Sequence, residues 1–271
     1  MREFLNSLSA EAKVLDLGCG DGTFDSADTP ATVFRLDLHA DHPPAHFVRG
    51  DAAHLPFAPN SLDAIVANNS LEHISNLDEC VKEIRRVLRS SGRLYIAVPD
   101  ATTLTDRLYR WLARGGGHIN PFNSAKSLAS KIEAGTSLPL RAKRTLCTSL
   151  SFLNRRNQRG RMPRKLWLLG AGTQASLLIA TYLLRCTDRW FGTRLSVYGW
   201  IFHFGNINES FDPMARTNVC IGCGAGHPSA WLLTEQRVSR KMVFAYYRCP
   251  NCETPNLFTR DERFPHFRDP I

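Results

Sequence analysis

The stretch VLDLGCGDGTF, residues 14–24, constrains this chain more than any other. An apolar run of strand length carries one acid and is followed by Gly18, Gly20 and Gly22 at alternate positions. Glycine takes positive φ without penalty and lets a ligand approach the backbone closely, so three of them directly after a strand predict a turn built around something bound. Amides presented by such a turn suit a carboxylate or phosphate. The spacing is G-x-G-x-G, and Thr23 stands where a nicotinamide fingerprint has its third glycine.

The same pattern recurs downstream. Residues 32–36 end at Asp37, Phe47 and Val48 lead to Asp51, residues 62–67 end at Asn68, and residues 94–98 are closed by Pro99. All read as short buried parallel strands. Between the last two, Leu77, Val81, Ile84, Val87 and Leu88 recur at helical spacing, with Ser75 or Asn76 as the cap. Strands alternating with helices predict an α/β fold: a Rossmann-like, mostly parallel sheet with helices on both faces and right-handed crossovers. Ligands of such sheets bind at the carboxyl ends of the strands, where Asp16, the glycines, Asp37, Asp51 and Asn68 all fall.

Taken together, the glycine turn, an acid nineteen residues beyond Gly18, GDAAHLPF at 50–57, SLDAIVANNSLEHI at 61–74 and LRSSGRLYIAVPD at 88–100 resemble the class I S-adenosylmethionine-dependent methyltransferases. The likeness is to their broad small-molecule and lipid group, the type 11-like methyltransferases, and covers about residues 14–98. It implies that Asp16, Gly18, Cys19, Gly20 and Gly22 hold the methionine part of S-adenosylmethionine. Asp37, with Leu38 beside it, would accept hydrogen bonds from both ribose hydroxyls; Asp51 and Ala52, with Leu55 nearby, would bind the adenine; and Asn68 would lie near the sulfonium. A carboxylate has acceptor sites only, which suits hydroxyl and amino donors. One departure stands out: family members usually carry a full helix between the glycine turn and the second strand, and here only TFDSADTPA, with Pro30 in it, fills that gap.

If the methyl acceptor must lose a proton, the candidate bases are His118 in GGGHINPFN, His73 in LEHI, and His39. The competing reading gives His118 no catalytic task and leaves His73 to orient the following helix. NNSL at 68–71 lacks the Pro-Pro-aromatic signature of enzymes that methylate amino groups of nucleic-acid bases, and the Pro-Cys pair for attack on a pyrimidine is missing too. Cys80 and Cys147 therefore read as core thiols.

Of 271 residues, 43% are hydrophobic and 22% charged, which fits a folded chain long enough for a large domain with a small module. The start, MREFLNSLSAEAK, has no apolar signal region, so a cytoplasmic location is expected. The net charge of +9 is concentrated: residues 126–165 hold eleven Lys or Arg against one acid, Glu133. Residues 144–152 and 195–204 read as an antiparallel strand pair. Between them, residues 166–184 run nineteen positions without a charge. Two readings compete: a helix that covers the acceptor pocket, or a helix at a membrane surface. In the second, peripheral contact runs through 155–190, and Arg155, Arg156, Arg159, Arg161, Arg164 and Lys165 attract anionic headgroups at about 1 kcal/mol each.

Near the end, Cys220-x2-Cys223 and Cys249-x2-Cys252 are separated by twenty-five residues and resemble the knuckles of a zinc ribbon. Four thiolates leave no open coordination position, so the implied zinc is structural; iron in a rubredoxin-like site is the alternative. Residues 231–233 and 243–247 are expected to be strands of the module. The resulting division is a methyltransferase domain over 1–211, with a helical insertion at 160–192, a zinc-ribbon-like module over 212–257 and a tail over 258–271. The expected activity is methyl transfer, to oxygen before carbon or nitrogen, on a small, lipid-linked or glycan-linked acceptor. Two alternatives stand beside it: an RNA methyltransferase that uses the basic region and ribbon for binding, and a non-catalytic binding protein on the same fold.

Overall fold

The computed structural model describes residues 1–112, 118–147, 150–154, 172–206, 216–241 and 244–258. The chain divides into two compact units. The first is Met1–Asp100, Gly116–Lys143 and Trp200–Pro213; the second is Ala101–Gly115, Arg144–Gly199 and Met214–Ile271.

In the first unit, helix α1 (Arg2–Asn6) precedes strands β1 (Lys13–Leu17), β2 (Thr32–Asp37), β3 (Phe47–Arg49) and β4 (Leu62–Asn68). Helix α2 (Leu77–Val87) leads into β5 (Leu88–Pro99), which extends well beyond the expected 94–98. The strand order is β3-β2-β1-β4-β5, with every pair in this run parallel. The run puts the carboxyl ends of β1, β2, β3 and β4 on one edge, so the acids read from the sequence share a row. Helix α2 starts at Asn76, whose side chain accepts from the Glu79 N–H, and buries the predicted stripe of Leu77, Val81, Ile84 and Val87. These side chains join Leu15, Leu17, Ile65, Leu94 and Ile96 from the sheet, and Leu128 and Ile132 from α4 (Ala125–Thr136), in one apolar core.

The missing crossover helix is missing in the fold as well. Between β1 and β2 there is only a 3-10 turn, Ser26–Asp28, capped by Asp25. Buried Arg35 of β2 fastens this short connection: its guanidinium donates to the Phe24 carbonyl, the Ser26 hydroxyl and the Ala45 carbonyl at 3.0–3.1 Å. It also lies over the Phe24 ring.

Strands β6 (Leu140–Cys147) and β7 (Val197–Gly205) are neighbours, and residues of each belong to both units. The expected strand at 144–152 thus begins earlier and stops earlier. Leu150 takes a left-handed backbone with φ 53°, and Ser151–Leu153 is a 3-10 turn.

The second unit contains α3 (Leu104–Leu112), α5 (Gln174–Phe191), β8 (Arg216–Val219) and β9 (Gly226–Pro228). Helix α6 (Ser229–Thr234) and a separate antiparallel sheet β10-β11-β12 (Val238–Lys241, Phe244–Arg248, Pro255–Leu257) complete it. Strand β8 pairs in parallel with β6 and antiparallel with β9. Residues 231–233 are helical, not a strand: the chain turns at Pro228, Leu232 goes fully inside, and Trp231 stacks on the His227 ring. Tertiary burial outweighs the β preference of that short run.

Thr173 caps α5 at its start, Gly192 ends it in a left-handed conformation, and Asp188 ties the following turn by accepting from Thr193, Leu195 and Ser196. Leu177 packs with Leu112, Leu150, Leu153 and Ile221. The basic residues from Arg155 to Lys165 lie outside the described residues, as do 207–215 and 259–271. Among the described residues, no helix is long and apolar enough to cross a membrane.

Candidate functional site: a glycine turn, a row of acids and a cysteine cluster

The glycine turn is tied into the sheet on both sides. Gly18 and Cys19 N–H groups both donate to the Leu36 carbonyl of β2. Gly18, Gly20 and Gly22 all have positive φ, at 69°, 52° and 110°. A methyl group at Gly18 would fall 2.4 Å from the Ser70 Cβ, so this glycine is needed for close approach of two backbones. At Gly20 a methyl group would meet no atom within 4 Å, so the backbone there borders open space.

Asp16 is fully buried at the end of β1, with one carboxylate oxygen accepting from the Thr23 N–H at 3.0 Å. Among the described residues, the other oxygen has no hydrogen-bond partner. Burial pushes its pKa up to about 6, against hydrogen bonds from Thr23 and the charge of Arg35. Among the described residues, an orphaned buried carboxylate oxygen beside the glycine turn matches the ammonium of a methionine group. The residues present therefore fit the methionine end of S-adenosylmethionine. Cys19 lies close to the same acids, and burial followed by the charges of Asp16 and Asp37 pushes its thiol to about 12.

Asp37 closes β2. Its Oδ2 accepts from the Gly20 N–H at 2.7 Å and its Oδ1 from the His39 N–H at 3.0 Å. Each carboxylate oxygen has a second lone pair, so hydroxyl donors can still be received. Leu38 beside it is 52% exposed and offers an apolar surface. Asp51 is exposed; Oδ1 accepts from the Ala53 N–H, and Oδ2 lies 3.9 Å from His54 Nδ1. Ala52 and Leu55 are buried behind it.

The loop bearing Asp51 is held by a pair that the sequence reading missed. Glu83 of α2 accepts from the Leu55 N–H at 2.7 Å, and Arg86 donates to the carbonyls of Leu55 and Phe57. Arg86 also hydrogen-bonds Glu83, which lowers the Glu83 pKa. Glu and Arg three apart on a predicted helix were the available signal. Asn68 is half-buried at the end of β4, followed by Asn69 at φ 52° and by buried Ser70.

The two histidines singled out as bases come together, at 5.1 Å between ring centroids. His73 is exposed and His118 half-buried, and fully buried Glu72 joins them. His39 is on the exposed loop after β2.

In the second unit the four predicted ligand cysteines converge. Cys220 Sγ lies 3.6 Å from Cys252 Sγ, and Cys223 Sγ 3.7 Å from Cys249 Sγ. A tetrahedron of thiolates with 2.3 Å metal–sulfur bonds has edges of about 3.8 Å. The Gly222 N–H and the Asn256 amide donate to Cys220 Sγ, the outer contacts that orient a thiolate ligand. The cluster is suited to zinc. His227, not singled out from sequence, places Nε2 3.3 Å from Cys249 Sγ and is buried between Trp231 and Tyr247.

Comparisons with known proteins bear on the family and the fold. Residues 15–96 match the methyltransferase domain family. The chain is 33% identical over 139 residues to the malonyl-[acyl-carrier protein] O-methyltransferase of Methylococcus capsulatus, covering 45% of this chain and 50% of that protein. It is 35% identical over 108 residues to the demethylmenaquinone methyltransferase of Beutenbergia cavernae, covering 35% and 45%. The chain thus spans half or less of the length of these relatives. Its fold resembles the YcgJ protein of Bacillus subtilis, with a TM-score of 0.50 at 20% identity over 77% of this chain and 97% of that one. Residues 15–96 thus match a methyltransferase domain, carried on a fold similar to that of the YcgJ protein.

Proposed function

We propose that the protein is an S-adenosylmethionine-dependent methyltransferase that methylates a hydroxyl oxygen of a small, lipid-linked or glycan-linked acceptor. The observation that carries this reading is the frame made by Asp16, the glycine turn and Asp37, with an unpartnered buried oxygen on Asp16 and open space at Gly20. When bound, the cofactor supplies an electrophilic methyl group on a sulfonium, so the protein's tasks are alignment and exclusion of water.

Asp16 receives the ammonium and regains its charge there. Asp37 would accept from the ribose hydroxyls, and Asp51 from the adenine amino group. Asn68, at the end of β4, would offer its side-chain carbonyl to the sulfonium. His118, with His73 beside it, takes the proton from the acceptor hydroxyl. In this reading the cysteine cluster holds a structural zinc whose binding, on the order of 10 kcal/mol, supplies folding energy to a module with little core of its own.

A lipid-linked acceptor is supported by α5. Ile179, Leu183, Trp190 and Phe191 on this helix are 57–75% exposed, with Tyr182 beside them. Ile179, Tyr182, Leu183 and Trp190 recur at helical spacing and share one face. From residue 155 to residue 187 the chain has seven Lys or Arg and no acid. An apolar face next to positive charge is the composition of a helix docked on anionic lipid.

The test is to incubate the protein with methyl-labelled cofactor and fractionated cell extract. Label is expected in lipid or small-molecule fractions. Label in RNA, with activity falling steeply as salt rises, would replace this reading with the RNA one. Failure to bind S-adenosylmethionine in calorimetry would leave a binding protein.

A further inference from the structure

We propose that Glu72, His73 and His118 form a divalent-cation site, distinct from the cysteine cluster. The donor atoms of the three side chains all lie within 4.8 Å of one another. They come from two segments far apart in sequence, so the cluster is a product of the fold. Glu72 and His73 belong to the 3-10 turn Leu71–His73 after β4, and His118 belongs to the run ahead of α4.

Backbone and side-chain bonds lock the two segments together around the cluster. The Glu72 carbonyl accepts from the N–H groups of Ile119 and Asn120, at 2.8 and 3.0 Å. The Asn120 side-chain amide donates to the carbonyls of Leu71 and Ile74, at 2.9 and 2.6 Å. Four hydrogen bonds thus fix His118 next to Glu72 and His73 before anything binds.

Two imidazoles and one carboxylate are the donor set that occupies one face of a transition-metal ion and leaves the remaining positions open. Nitrogen and oxygen donors together suit Zn2+, Co2+, Fe2+ or Mn2+ rather than calcium. Glu72 is 1% exposed; a cation beside it compensates the loss of hydration that an interior carboxylate suffers. His73 is exposed, which gives the ion a route in from solvent. Binding by these three residues is independent of the methyl-transfer reading. Its catalytic use rests on that reading: with an ion bound, His73 and His118 would serve as ligands instead of bases, and the ion would coordinate the acceptor hydroxyl, lower its pKa and let solvent take the proton.

The experiment uses the full chain with its cysteines loaded with zinc, titrated with Co2+ and followed by absorption. One equivalent of Co2+ is expected, with weak d–d bands and no thiolate charge-transfer band. His118→Ala, on a loop, is expected to weaken uptake at least tenfold, as is the near-isosteric Glu72→Gln. Asp37→Ala is expected to leave uptake unchanged while losing cofactor binding, which separates failure of this site from failure of the methyltransferase reading. No uptake by the wild type, thiolate charge-transfer intensity, or equal uptake in both site variants would overturn the proposal.

Discussion

The backbone N–H of Gly20 donates to Asp37 Oδ2 at 2.7 Å, which joins the glycine turn after β1 to the acid that ends β2. One carboxylate thus shapes the turn and, in the proposed function, receives the ribose. Asp37→Ala is expected to lose S-adenosylmethionine binding in calorimetry. It also removes the bonds to Gly20 and His39, lowering stability by about 1–3 kcal/mol in denaturant unfolding. Undiminished turnover would show that the ribose lies elsewhere.

Asp16 predicts a pH dependence with a definite sign. Its folded pKa of about 6 exceeds the ordinary 3.8 because burial disfavours the charged form. Its contribution to folding is therefore fully present below pH 3.8 and is lost as the pH rises through about 6. Asp16→Asn is expected to stabilise the cofactor-free protein by about 2–3 kcal/mol at pH 8 and to change little at pH 3.5. Binding of the cationic cofactor has the opposite trend, weakening below pH 6 in the wild type. Calorimetry from pH 5 to 8 measures the binding, and chemical unfolding at matched pH values measures the stability.

Gly18 meets two demands at once. An alanine there collides with the Ser70 Cβ and must also hold φ at 69°. Gly18→Ala is expected to cost several kcal/mol in unfolding free energy. Adding Ser70→Gly removes the collision and leaves about 1–2 kcal/mol from the left-handed backbone. If Ser70→Gly gives no rescue, the close approach is not what requires glycine.

The cysteine cluster predicts one zinc per chain by metal analysis. Cys249→Ser is expected to lose that zinc and the cooperative unfolding of the module, while S-adenosylmethionine binding persists. Iron in the purified protein, with thiolate-to-iron absorption, would assign the site to the rubredoxin-like alternative.

The exposed face of α5 predicts sedimentation with vesicles rich in phosphatidylglycerol but not with phosphatidylcholine alone, weakened by added salt. Leu183→Glu with Trp190→Glu is expected to abolish it and leave cofactor binding intact. If the pair has no effect, the face does not dock on lipid.

The strands and α2 were legible because buried parallel strands and an amphipathic helix each leave a periodic signature. The glycine turn, Asp16, Asp37 and the cysteine pairs were legible because their chemistry depends on spacing along the chain. Arg35 acts through partners 9 to 11 residues away and Glu83 with Arg86 through partners 28 to 31 away, while the Glu72 carbonyl meets Ile119 and Asn120, and spacing does not announce such partners. Strand β6 and helix α6 departed from expectation for a related reason. Short apolar runs satisfy both periods, and a left-handed Leu150 or a turn at Pro228 then decides between them.

Arg35 stands where most folds of this kind would place a whole packed segment. A single guanidinium gathers Phe24, Ser26 and Ala45, with Arg2 on Asp28 and Thr29 on the Leu5 carbonyl, so this corner is fastened by a few point contacts instead of along a helix seam. Such a corner is expected to open locally, with amide hydrogens exchanging ahead of those in the neighbouring strands, and in the proposed function that opening would set how quickly a spent nucleoside departs.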